Sequence, residues 1–212
     1  MTQIGSSAEE DSRQNDDNAI LTLVLRQAFI QQCYEDGTVY EDEDFHDVGG
    51  FTVVDQNTAP FGFNWSYPPE VLAGACVTFG GYEPNDPREL EKYIYKNIKI
   101  QDYDISNLVD LLLERNKKSV RLSLESLPKD GYIIDYDGTY ARYFEEKGGG
   151  WEKWRKDHPE AHGYTQVSLP AYDKEKGLVL VYHGIQSDWL VGVGSIDVYR
   201  YKDGKLEHLC GI

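Results

Sequence analysis

The chain has 212 residues, 40% hydrophobic and 27% charged, with 37 Asp+Glu against 21 Lys+Arg and a formal net charge of -16. That length suffices for one substantial core. The charge argues against nucleic acid and against an anionic membrane surface as partners, because both require a basic patch.

The carboxylates are unevenly spread. Of the 37, 12 lie within residues 1–47, beside only Arg13 and Arg26, whereas the last 65 residues hold 9 acids and 8 bases. This asymmetry points to a cationic partner. The opening MTQIGSSAEEDSRQNDDN has neither the basic start nor the apolar centre of a secretion signal, so a cytoplasmic protein is expected. Cys33, Cys76 and Cys210 form no C-x-x-C pair. No disulfide framework, metal site or cofactor is expected from them.

In chain order, residues 1–18 read as a disordered acidic tail. A helix is expected from Ala19, where AILTLVLRQAFIQQCY repeats its apolar residues near every 3.6 positions. An acidic stretch follows, with seven carboxylates and no Lys or Arg in residues 35–47. FTVVD is a short strand, and QNTAPFGFNWSYPPE is a Pro- and aromatic-rich loop. VLAGACVTFGG fits a strand or a short buried segment. Asp86, Pro87 and Glu89 open a helix over 87–97. IKIQDYD reads as a strand, and Ser106 as the cap of NLVDLLLERNKK. Val120, Leu122 and Leu124 alternate as a half-buried strand, and Tyr132 to Tyr136 fit another.

From Gly148 the pattern sharpens. A triple glycine precedes the amphipathic helix WEKWRKDHPE, which Pro159 ends. Strands YTQVSLPAY, LVLVYHGIQ and GSIDVYRYK follow, with a turn at Asp203-Gly204 and KLEHLC as a closing strand. The expected class is α+β: one domain over 19–212, an antiparallel sheet ending in a three- to four-stranded meander, and helices on one face.

This block, from Gly150-Trp151 through His158-Pro159-Glu160-Ala161-His162-Gly163, LVLVYHG, GVGSIDVYRY and Asp203-Gly204-Lys205, resembles a family of uncharacterised bacterial proteins. The resemblance extends over about residues 107–208. It implies the helix-plus-meander fold and no chemistry. Relatives often carry two cysteines in the bend between the last long strands. Here that bend is GIQSDWLVGVG, so no thiol role transfers.

Motifs for catalysis are weak. VGVGSID lacks the spacing of a nucleophile elbow and leads into a strand, leaving Ser195 an ordinary strand residue. Cys33 and Cys76 fit buried thiols. His158 and His162 are four apart, but Pro159 breaks any helix between them. A metal site gathering His158, His162, His183 and Asp188 is therefore not expected. The glycine runs lack the lysine of a phosphate loop.

Two functional expectations remain. The first is a non-enzymatic, inhibitor- or immunity-like module that captures a basic protein. Asp42, Glu43 and Asp44 would steer the partner, and Tyr40 and Phe45 would anchor it. The second is a hydrolase or carbohydrate-binding protein with a cleft lined by Trp65, Trp151, Trp154, His158, His183 and Trp189. Its rings would stack on sugars, and two of the many acids would do the work. Packing of a Tyr-rich sheet face on a second copy of the chain stays open beside these.

Overall fold

The computed structural model describes residues 4–32, 50–59, 87–100, 103–145, 147–188 and 191–212. They form four α-helices and a seven-stranded sheet. The helices are α1 (Ile4–Gln32), α2 (Pro87–Asn97), α3 (Ser106–Arg115) and α4 (Gly150–Asp157). The strands are β1 (Phe51–Val54), β2 (Tyr132–Ile134), β3 (Ala161–Val167), β4 (Ala171–Asp173), β5 (Leu178–Asp188), β6 (Val191–Lys202) and β7 (Lys205–Gly211).

The α+β class and the C-terminal meander stand. Strands run in the order β2-β1-β3-β5-β6-β7, with β4 also pairing β5. From β3 onward every pairing is antiparallel. β1 is parallel to both of its neighbours, β2 and β3. The β6–β7 hairpin closes through Asp203 (φ 52) and Gly204 (φ 73), the left-handed pair that a two-residue turn of this twist requires. The segment read as one strand, YTQVSLPAY, is two. Ser168 ends β3 by exchanging bonds with Tyr182, and Pro170 separates β3 from β4.

The helices occupy both faces of the sheet rather than one. β5 alternates Leu178, Leu180 and Tyr182 toward the core under α2 and α3 with Val179 and Val181 toward the core under α1. A central strand with two apolar faces needs a cover on each side. α1 supplies the second cover with Ile20, Leu21, Val24 and Leu25, all essentially sealed from solvent. Each such side chain contributes roughly 1.5–3 kcal/mol by burial. A third cluster packs α4 and the 3-10 turn Ala141–Phe144 over β1 and the start of β3.

The N-terminal tail is a correction. Helix α1 starts at Ile4, not near Ala19. Asp17 pairs both carboxylate oxygens with Arg115 of α3, at 2.9 and 2.5 Å. Asp16 pairs with Lys174, and the Gln14 amide donates to Ser123 Oγ at 2.8 Å. Polar residues that look solvated in the sequence are fixed by tertiary partners.

Three further expectations change. Of the strand expected over residues 98–104, the described residues form an isolated Ile100–Tyr103 bridge. Residues 120–124 bury Leu122 and Leu124 but leave Val120 44% exposed, and bridge at Arg121 to Asn57. Their backbone is held by the Tyr136 hydroxyl, which accepts from Leu124 N at 2.9 Å. Ser106, expected as the cap of α3, is its first residue: Ile105 holds the N-cap position with no side-chain bond, and the Asp104 carboxylate just before it accepts Ser106 N at 2.9 Å. No helix of the described residues is long and apolar enough to cross a membrane.

Candidate functional site

Two short runs end alike in the sequence: FTVVD and YIID. In each, β-branched or aromatic residues favour a strand and an aspartate stops it. Val54 pairs with Ile134 in the parallel ladder, and Asp135 N then donates to Val54 O at 2.9 Å. On the other side Asp55 N donates to Thr165 O at 2.9 Å. Asp55 and Asp135 therefore stand at the carboxyl ends of adjacent parallel strands. Val53 and Ile133, two residues earlier on each strand, pack into the α4 cluster, so both aspartates project on that face. Crevices at the carboxyl ends of parallel strands are recurrent ligand sites.

β3 completes the group. Tyr164, paired with Val53, packs against the α4 cluster, and Gln166 lies two residues on along the same strand face. The Tyr164 hydroxyl bonds Asp135. Asp135 also accepts Tyr140 N at 3.2 Å and Ala141 N at 2.8 Å. Asp55 accepts Asn57 N at 2.8 Å and the side-chain amide of Gln166.

Burial raises the Asp55 carboxyl above its ordinary value, against the pull of its N–H donors, and the neighbouring Asp135 charge adds to the rise. Asp135 is raised for the same first reason, with Asp137 adding to it. Tyr164 is pushed far above the ordinary phenol value by burial and then by the two aspartates. Gln166 Oε1 is sealed from solvent and has no hydrogen-bond donor.

An aromatic cluster adjoins this group. Tyr164 lies 6.0 Å from Trp154 and 6.1 Å from Phe144, ring centre to ring centre. Tyr140 contacts Trp154 at 5.2 Å and His158 at 4.7 Å, and Phe51 meets Tyr140 edge-on at 6.3 Å. Tyr140, Phe51 and Tyr164 are half-buried, whereas Trp151 and Trp154 are 1% and 0% exposed.

The residues expected to line one cleft are not brought together. Trp151 and Trp154 form the interior of the α4 cluster, because the helix buries its apolar face. His158 sits at the rim of that cluster, with Nε2 3.2 Å from the Tyr143 hydroxyl. His183 lies on the opposite face of the sheet: it is registered with Val167, which packs under α1. Its Nε2 donates to Asp197 at 2.8 Å, and the second Asp197 oxygen accepts from His208 Nε2 at 3.0 Å. Trp65 and Trp189, like Tyr40, Asp42, Glu43, Asp44 and Phe45, lie outside the described residues, as do Cys33 and Cys76. Among the described residues no three His, Cys, Asp or Glu are grouped so as to hold a metal ion.

Asp55 and Asp135 escaped sequence reasoning because 37 carboxylates make chance pairs abundant. The usable signal was the repeated strand-then-aspartate pattern, which gains meaning only when the two strands are known to be parallel neighbours. Comparison with protein-family models, with curated proteins and with solved structures found no match for this chain.

Proposed function

We propose that this chain is a carbohydrate-binding protein or glycoside hydrolase whose site lies at the carboxyl ends of β1 and β2. The observation that carries this reading is the side-by-side placement of Asp55 and Asp135 next to a half-exposed aromatic cluster. Carboxyls at the ends of adjacent strands, on one face, are the near-neighbour arrangement that paired-carboxyl glycoside chemistry requires.

The two aspartates suit different roles. Asp135 receives two backbone N–H groups and a phenol, which favour its anionic form. Asp55 has one backbone N–H and the side-chain amides of Asn57 and Gln166, and its desolvation favours the proton. Asp55 would then be the proton donor and Asp135 the anionic partner. Tyr140 and Tyr164 would supply the stacking surface that the buried tryptophans cannot.

A panel of chromogenic glycosides and soluble oligosaccharides, run on the full chain and on Asp55→Asn, tests the reading. Turnover or saturable binding that is lost in Asp55→Asn supports it. Binding or turnover unaltered by Asp55→Asn and Asp135→Asn would place any activity elsewhere.

A second reading rests on the carboxylate excess of residues 1–47. In it, Tyr40, Asp42, Glu43, Asp44 and Phe45 capture a basic protein, with no bond broken. Its mark is a stoichiometric basic partner, recovered from lysate at low salt and lost at high salt.

A further inference from the structure

We propose that β6 carries a docking edge for a second copy of this chain, which adds its own β6 to the sheet, antiparallel, through Gly192, Val193 and Gly194.

The observation is an open stretch of sheet edge. β7 pairs with β6 as far as Ile212, whose N–H and C=O exchange bonds with Ile196 at 3.2 and 3.0 Å. The backbone groups of Ile196 therefore point away from β5. Those groups alternate along a strand, so Gly194 and Gly192 present theirs on the same side. No described residue pairs with them there. Gly192 is exposed, and Val193 is 64% exposed, more than any other large hydrophobic side chain among the described residues.

The outer strands of the sheet are protected by contrast. On β2, Tyr132 turns its backbone to Leu127, and Ile134 N donates to Ser126 Oγ. β7 shows Lys205 and Glu207 to solvent, gives the Leu206 carbonyl to Gln27, and slips register at Leu209. Cover, charge and bulges are the means by which an edge is kept from pairing. Gly192, Val193 and Gly194 bring neither cover nor charge.

The edge fits a copy of itself. Gly192 and Gly194 flank Val193 evenly. A second β6 laid antiparallel about a two-fold axis at Val193 sets each Gly192 against the other chain's Gly194, and every outward N–H meets a C=O. The two Val193 side chains then face each other at a non-hydrogen-bonded position, where cross-strand side chains lie closest, and both leave water. Charge favours this occupant over a basic peptide. Residues 191–196 hold no charged side chain, and the last 65 residues carry 9 acids against 8 bases, whereas 12 acids stand beside two bases in residues 1–47. Three residues per chain bury far less than the roughly 1,200 Å² of a stable interface, so the dimer is weak and transient.

The test is a concentration series of the full chain up to the millimolar range, followed by NMR and sedimentation equilibrium. The Gly192 and Gly194 amides should exchange freely in dilute protein and gain at least about twofold protection when concentrated. The average mass should rise with concentration. It should rise further with salt, because screening relieves repulsion between two chains of charge -16. Val193 is the position to alter, since a Cβ at Gly194 would lie 3.1 Å from the Tyr182 ring and one at Gly192 3.0 Å from the Ile185 carbonyl. Val193→Lys sets two charges face to face and should abolish both effects. With the native cysteines replaced by serine, Val193→Cys should oxidise to a linked dimer at least about tenfold faster than Val120→Cys. Val120 is an exposed valine outside the sheet, beside Thr58.

A protein that stays monomeric throughout the series overturns the proposal, even where a basic peptide shifts the Gly192 and Gly194 amides. Dimerisation that Val193→Lys leaves intact, or cross-linking of Val193→Cys no faster than that of Val120→Cys, puts the contact on another face and overturns it as well.

Discussion

Asp197 joins His183 to His208. The imidazole of His183 on β5 donates to one oxygen of the Asp197 carboxylate, that of His208 on β7 donates to the other, and β6 carries the carboxylate between them. Asp197 is only 5% exposed, and the β7 backbone lies over it: a methyl added at Gly211 would fall 1.9 Å from its Oδ1. Replacing Asp197 with Ala leaves the buried His183 N–H without an acceptor. It should cost on the order of 3 kcal/mol, read from the urea midpoint. A loss below about 0.5 kcal/mol, the scale of an ordinary surface substitution, would mean the clamp is ornamental.

The same carboxylate predicts a pH signature. Burial alone would raise the Asp197 carboxyl, but hydrogen bonds from His183, His208 and Ser195, with the His183 charge, outweigh it and hold the group below its ordinary value. Its stabilising contribution is therefore complete above the unfolded value of about 3.9. It is lost as pH falls through the lowered folded value. The stability gap between the unaltered protein and Asp197→Asn should narrow as acid is added. A gap independent of pH counts against the assignment.

Asp55 and Asp135 predict the opposite slope. Burial raises both carboxyls, so the folded chain holds their protons more tightly than the unfolded chain does. Their stabilising contribution is complete below about pH 3.9 and is lost as pH rises through the raised folded values. Asp55→Asn should gain on the unaltered protein in thermal melts as the pH is raised. Parallel melting curves across that range would show that the pair titrates normally.

The N-terminal helix should be required for stability. The Asp17–Arg115 pair has side chains only 10% and 12% exposed, and Arg115 also donates to the Pro170 carbonyl. Deleting residues 1–18 removes one charge and strands the other. The expected cost is roughly 3–5 kcal/mol, measured by chemical denaturation. Arg115→Met in the shortened chain should recover part of it. Full stability of the truncated protein would mean that the pair contributes nothing.

Trp154 should behave as core and not as a sugar platform. It is fully buried, and its Nε1 donates to the Ala161 carbonyl at 3.3 Å. Trp154→Ala should destabilise by about 3–5 kcal/mol. Tyr140→Ala should instead weaken any saccharide binding with a smaller loss of stability. Equal stability losses in the two variants would leave no case for Tyr140 as a binding surface.

What the sequence reveals here follows from how local each signal is. Helices α2 and α4 and strands β5, β6 and β7 were legible because periodicity, Pro87, Pro159 and the Asp203-Gly204 turn act within a few residues of themselves. Residues 4–18 were not, since their helix is fixed by Ser123, Arg115 and Lys174, all remote in the chain. Helix placement failed for a related reason: β5 reads as a continuous apolar run, and a run of that kind does not say which cover comes from which helix. The site was hidden by the same distance. Trp151, Trp154, His158 and His183 looked like a set because their side chains suit a sugar cleft, yet the sheet separates His183 from the rest.

The position of β1 has a kinetic consequence. This strand is made early, yet it lies between β2 and β3, both of which come much later in the chain. It cannot finish its ladder until two long loops close, whereas β5, β6 and β7 pair through short connections. Loop closure is paid in entropy before any long-range contact returns it, and non-local pairing is slow. The meander should therefore gain protection from hydrogen exchange first and β1 among the last, in a pulse-labelling experiment during refolding. The strand end that carries Asp55 and Asp135 would then be assembled late, so a refolding intermediate with a complete meander would still lack a binding site.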